Sequence, residues 1–180
     1  PGIAALGLVE RTKSILQAAN IAVEVFDDVQ ADPPEQVILD ATSQAVQNNC
    51  TGIIGLGGGS SLDVAKLVAV LSKQKQCLAD IYGVGNVAQG RLPLMLVPTT
   101  SGTGSEVTKV SIVTTGASEK MGVVSPVLLP DVALLDPELT YGLPAHITAA
   151  TGIDAMVHAI EAYASINPNN NPISKGLAVQ

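Results

Sequence analysis

Aromatic residues are nearly absent from this chain: 180 residues hold no tryptophan, one phenylalanine and three tyrosines. That scarcity removes the stacking platforms on which single-stranded nucleic acids are held. Basic residues are also few, 9 lysines and arginines against 16 acids, and they form no cluster. The net charge of −7 repels phosphate backbones and anionic bilayers, so neither nucleic acid nor membrane is expected as a partner. Cys50 and Cys77 have neither zinc-site spacing nor a disulfide framework, and read as reduced thiols of a cytoplasmic protein. No apolar run is long enough to span a bilayer. The first residues lack the basic segment of an export signal, and Glu10, Arg11 and Lys13 break the apolar stretch. What remains, 47% hydrophobic and 14% charged, is a globular composition with enough apolar matter for one core.

The pattern along the chain is that of an α/β protein. Leu6 to about Asn20 reads as a partly amphipathic helix, Ala22 to Phe26 as a strand, and Pro33-Pro34 as the opening turn of a helix reaching about Asn48. Thr51 to Ile54 reads as a buried strand, and the apolar set Leu62, Ala65, Leu67, Val68, Ala69 and Leu71 as a helix packed on it. Gly83 to Gly90 is a loop, and Leu92 to Val97 a second buried strand. Lys109–Thr115 and Met121–Val124 flank a turn at Gly116–Glu119 and read as a hairpin, and Val132 to Leu135 as a further short strand. Alternating βα units of this kind favour a largely parallel sheet. From Leu143 the character changes. Pro144 opens a helical stretch through Ala164, with Gly152 where close packing is expected, so a domain boundary falls near Gly142. The chain starts at Pro1 without a methionine and stops at Gln180 within what reads as a helix, as a segment of something longer would.

Three stretches carry chemistry. The first is Gly55-Leu56-Gly57-Gly58-Gly59-Ser60-Ser61-Leu62-Asp63-Val64-Ala65-Lys66. Glycines at a strand-to-helix turn let backbone amides approach a phosphate or pyrophosphate at a helix amino terminus. Ser60 is expected to cap that helix, with Asp63 reaching back in a capping box. The spacing is neither G-x-G-x-x-G nor a P-loop, and a tight turn without a ligand satisfies it too. Asp80 lies about far enough downstream for a ribose-binding acid, but no strand ends there. The second stretch, Thr99 to Ser105, follows a strand end, where open α/β sheets bind ligands; a hydroxyl-rich turn bonded to its own backbone is the plainer alternative. In the third, Asp154 and His158 share one helix face, as two ligands of a divalent metal or as an ordinary surface pair. His146 reads as a solvated helix-start residue, and Glu161 as a packing or solvent residue near that pair.

Taken together, Gly57-Gly58-Gly59-Ser60 with Asp63 and Lys66, Pro98 to Glu106, and Thr151-Gly152-Ile153-Asp154-Ala155-Met156-Val157-His158-Ala159-Ile160-Glu161 resemble the iron-containing alcohol dehydrogenase family in order and separation. The resemblance implies a Rossmann-like dinucleotide-binding domain over residues 1–142, lacking its first strand, followed by the start of an all-helical metal-binding domain at 143–180. It implies that Gly58, Gly59 and Ser60 hold the pyrophosphate of NAD or NADP. Thr99, Thr100, Gly102 and Thr103 would line the nicotinamide end, and Lys120 would make another cofactor contact. It makes Asp154 and His158 the first two ligands of iron(II), with zinc as the alternative metal, acting as a Lewis acid on an alcohol or aldehyde. A homo-oligomer is also implied. The family's other two metal ligands, both histidines, have no counterpart before Gln180. Asp32 stands where the family commonly has asparagine, and Val110 where some members have a polar cofactor contact. The alternatives are a non-catalytic dinucleotide-binding fragment, and a zinc enzyme resembling glycerol dehydrogenase or dehydroquinate synthase. The Thr99–Glu106 loop and the Asp154–Glu161 helix favour the iron branch over the latter.

Overall fold

The computed structural model of the chain describes residues 7–88, 90–116 and 119–180. Its elements, in order, are α1 (Leu8–Ala18), α2 (Glu35–Gln47), β1 (Ile53–Gly57), α3 (Gly59–Leu71), α4 (Leu78–Ile81), β2 (Gly83–Val84), β3 (Leu94–Pro98), β4 (Val110–Thr115), β5 (Glu119–Val124), β6 (Val132–Ala133), α5 (Ala145–Ala164) and α6 (Pro172–Ala178). The expected starts or turns at Leu6, Gln89 and Ala117-Ser118 lie outside the described residues. One sheet has the order β1-β3-β6 and is wholly parallel, in the register Ile53↔Leu94 to Gly57↔Pro98 and Met95↔Val132. The other has the order β2-β5-β4, with β4 and β5 forming the expected antiparallel hairpin.

Helix α3 is the centre of the molecule. From Leu62 to Leu71 every residue except Asp63 is buried, which an apolar helix requires when it is covered on all sides. One face, Leu62, Ala65 and Ala69, packs on Leu94 and Leu96 of β3. The other, including Leu67, Val68 and Val70, meets Ile38, Ala41 and Ala45 of α2 and Val113 and Val123 of the hairpin. Each leucine so buried contributes roughly 1.5–3 kcal/mol. Helix and strand come this close because Gly55 has no side chain: a Cβ there would sit 2.7 Å from both Ala65 Cβ and Leu96 Cδ2.

Four expectations are corrected. Ala22–Phe26 forms no strand. Among the described residues no strand pairs with it, and a cleft of ≈ 690 Å³ lies between this segment and the edge of β1. Strand β1 begins at Ile53, not Thr51, and runs into the glycines, with Ile54 41% exposed toward that cleft instead of buried. Gly152 meets nothing within 4 Å, so it is not a packing glycine. The last helix closes at Ala178, before the end of the chain. Helix α5 matches the expected stretch, but no residue of α5 or α6 is buried; they pack on each other and leave Ile153, Met156, Ile160 and Leu177 exposed.

Candidate dinucleotide and metal site

Strand β1 delivers the chain into the glycine turn. Gly57 takes φ 146°, a backbone conformation that favours glycine. Gly58 is the N-cap of α3 in extended conformation, with no side-chain cap. Among the described residues no chain acceptor takes the amides of Gly59, Ser60 or Ser61; the first closing bond is Leu62 N to Gly58 O at 3.1 Å. These donors, at the positive end of a 13-residue helix, are the groups an anion satisfies. The expected Ser60–Asp63 capping box is absent. The helix starts at Gly59, which leaves Asp63 too far inside to reach back to the N-cap.

Strand β3 places the hydroxyl-rich loop beside this turn. The Thr99 amide donates to Gly57 O at 2.9 Å, tying the two strand ends together. A Cβ on Gly58 would lie 3.3 Å from Thr100 Cγ2, and one on Gly59 would lie 2.9 Å from Thr103 Cγ2. The threonine loop thus lies close on the turn, with little room for a side chain at 59 and a tight fit for one at 58. Thr99 is 3% exposed and supports the loop from within, Thr100 and Thr103 lie half-buried against the open helix end, and Gly102, also half-buried, faces Thr151 of α5.

Beneath the loop lies a network that the motif reading left without a role. Lys66 is fully buried, and its Nζ donates to Val110 O at 2.7 Å, Ser105 Oγ at 2.8 Å, and Asp63 Oδ1 and Thr108 Oγ1 at 3.3 Å each. Asp63 also accepts from the Ser105 hydroxyl and, at 2.9 Å, from the Ile112 amide. Burial pushes the Lys66 ammonium below its ordinary range, against the opposing pull of Asp63 and Glu106. The signal was present in the sequence: a single lysine amid Leu62, Val64, Ala65, Leu67 and Val68 must find partners when its helix is buried.

Lys120 lies elsewhere, on β5, with its Nζ 2.6 Å from Asp32 Oδ1; both side chains are exposed. Asp80 is spent on the turn before α4, where it accepts from the Cys77 amide at 3.3 Å. On α5, His158 Nε2 lies 3.8 Å from Asp154 Oδ1, and both are about half-exposed. The pair is open and correctly typed for a divalent ion, yet two donors do not complete a site. Among the described residues no group of three or more His, Cys, Asp or Glu could hold a metal. His146 and Glu161 are exposed and add nothing to the pair. The glycine turn and the threonine loop are thus brought together, Lys120 is paired with Asp32 on β5, and Asp154 and His158 stand as two side chains on one helix.

A family model described as iron-containing alcohol dehydrogenase matches residues 1–137. The chain belongs to the iron-containing alcohol dehydrogenase family. It is similar to long-chain-alcohol dehydrogenase 1 of Geobacillus thermodenitrificans, 43% identical over 182 residues, covering 99% of this chain and 45% of that protein. It also resembles the 4-hydroxybutyrate dehydrogenase of Cupriavidus necator, at 40% identity over 99% of this chain and 47% of that one. Among solved structures, sulfoacetaldehyde reductase from Bifidobacterium kashiwanohense in complex with NAD+ superposes with a TM-score of 0.87 at 36% identity, covering 97% of this chain and 46% of its own. The chain therefore spans about half the length of the curated relatives it matches. Its parallel α/β unit is the Rossmann-like domain of this family.

Proposed function

We propose that the chain is the dinucleotide-binding part of an NAD(P)-linked, metal-dependent alcohol dehydrogenase, with residues 1–142 holding the cofactor and 143–180 opening the metal-binding domain. The observation that carries this reading is the uncapped amino terminus of α3 lying against the Thr99–Thr103 loop at the ends of two adjacent parallel strands. The amides of Gly59, Ser60 and Ser61 hold the pyrophosphate, and Thr100 and Thr103 orient the remainder of the cofactor and exclude water from it. The cofactor supplies the hydride chemistry. Asp154 and His158 would hold iron(II), or zinc, which supplies Lewis-acid polarisation of an alcohol or aldehyde oxygen. Relatives named for long-chain alcohols, 4-hydroxybutyrate and sulfoacetaldehyde share this half, so the substrate is selected by residues outside it.

The free thiols Cys50 and Cys77 support a cytoplasmic location. No described helix is long and apolar enough to cross a membrane. A homo-oligomer is proposed by family membership alone, and light scattering of the complete protein tests it. The function itself is tested by NADH fluorescence titration and by alcohol-dependent NADH formation with iron(II), before and after chelation. Saturable NADH binding with chelator-sensitive turnover supports the reading, and absence of NADH binding to folded protein refutes it. A second reading, dinucleotide binding without catalysis, predicts NADH binding with no metal-stimulated turnover.

A further inference from the structure

Within these 180 residues, helix α5 meets little besides α6. None of its residues is buried, and the only half-buried ones are Thr151, Asp154 and Ala159. One backbone approach stands out against that exposure. A Cβ built on Gly102 would overlap the Thr151 carbonyl oxygen and lie 2.8 Å from Thr151 Cβ and 2.9 Å from Thr151 C. Backbone atoms of a helix cannot rotate aside, so nothing larger than glycine fits at 102 with α5 where it is.

The two partners of this contact are differently anchored. Gly102 sits on a loop fixed at both ends. Thr99 is bonded to Gly57 at 2.9 Å. Thr103 packs on Gly59, and Ser105 is held by Lys66 at 2.8 Å. Thr151 lies on the helical stripe that continues, at i+3 and i+7, to Asp154 and His158. At a rise of about 1.5 Å per residue these stand about 4.5 and 10.5 Å further along the axis on the same side. The stripe that rests on the cofactor loop is therefore the stripe that carries the metal-type pair.

We propose that Gly102 is a positioning residue: its missing side chain sets how closely the Asp154/His158 stripe of α5 approaches the cofactor loop, and it does not itself hold the cofactor. The inference rests on the function proposed above and assigns Gly102 a task distinct from that of Gly58 and Gly59, whose would-be Cβ atoms meet only threonine side chains. A methyl group at 102 would displace α5 by about 1 Å, and a misplacement of that size can cost about a hundredfold in rate.

The test is Gly102→Ala in the complete protein, followed by NADH fluorescence titration, kcat with iron(II), and the spin-label distance between Val107, beyond the loop, and Met156 of α5, both exposed within this chain. Expected are an NADH Kd within about threefold of wild type, kcat lower by about ten- to a hundredfold, and a longer or broader distance. An unchanged kcat, or a lost NADH affinity at unchanged distance, overturns the proposal; the second outcome would make Gly102 a cofactor contact. Should that variant not fold, Thr151→Gly removes the facing Cβ from the exposed helix. It is expected to lower kcat with NADH affinity kept, and unchanged kcat with an unchanged distance overturns the proposal. Wild-type protein that binds no NADH would instead refute the function proposed above, and the distance measurement still reports on the contact.

Discussion

Replacing Lys66 by methionine removes the one cation from the buried network and leaves its partners in place. Asp63 Oδ1, Ser105 Oγ, Thr108 Oγ1 and Val110 O each lose a donor. Breaking a buried ion pair from one side costs about 3–5 kcal/mol, because a charge is stranded. Two effects reduce that figure here. Asp63 keeps the Ser105 hydroxyl and the Ile112 amide. The lowered Lys66 pKa shows, moreover, that burial of the ammonium already opposes folding. A loss of about 2–3 kcal/mol is therefore expected, or about 5–10 °C in Tm for a domain of this size. The pH dependence has a definite sign. Between the lowered folded value and the ordinary 10.5, the unfolded chain binds this proton more tightly, so wild-type stability rises with pH across that window, and Lys66→Met removes that contribution. Urea denaturation followed by circular dichroism measures both quantities. Asp63→Asn/Lys66→Met should be less damaged than the sum of its single changes by about 1–2 kcal/mol, since no carboxylate is then stranded. A single variant within about 0.5 kcal/mol of wild type, or strict additivity, would refute the claim that this network holds the threonine loop to α3.

Other expectations follow from separate parts of the molecule. Asp154→Ala should abolish metal-stimulated turnover by at least about a hundredfold while leaving the NADH Kd unchanged; retained turnover would remove the metal role of the pair. Arg91 grips Asp131 through bonds of 2.6 and 3.0 Å, and with the Leu94 amide this lowers the Asp131 pKa to about 2. That stabilisation is complete above the ordinary carboxylate range and is lost as pH falls from about 4 to about 2. Arg91→Leu should therefore flatten acid unfolding there, and an unaltered acid limb would contradict it. The exposed Lys120–Asp32 pair is worth at most about 1 kcal/mol, so Asp32→Asn should free Lys120 and raise NADH affinity by no more than about fivefold; a fall in affinity would mean that Asp32 itself serves the cofactor.

The sequence disclosed what depends on neighbours along the chain. Gly57 to Lys66 read as a strand-to-helix turn because a short apolar run, glycines and a 3.6-residue pattern follow one another directly, and α5 was legible from Pro144 to Ala164 for the same reason. What it could not disclose was which close approaches the tertiary fold would make. Gly152, in the middle of an apolar helix, was the expected packing glycine, but it faces open space; the close approach is made one residue earlier, by Thr151 against a glycine of another loop. Asp63 has the same history. Its position three residues after Ser60 suits a cap, yet its carboxylate is turned to Ser105, Ile112 and Lys66, partners 42 and 49 residues on and three residues on. Local spacing names the residue; distant chain decides its partner.

The failed strand at Ala22–Phe26 fits that logic and bears on the whole domain. Its composition, Ala-Val-Glu-Val-Phe, is strongly β-forming, so propensity does not explain why it stays irregular. A ladder needs a second backbone within about 4.8 Å, and the nearest candidate, β1, bonds β3 on one side and faces the cleft on the other. The cleft is lined by Ile21, Val23, Val25 and Phe26 on one wall and by Ile53 and Ile54 on the other. The segment is held instead by a side chain: Gln44 Nε2 of α2 donates to Val25 O at 2.9 Å, which ties the irregular stretch to its neighbouring helix where a ladder would have tied it to β1.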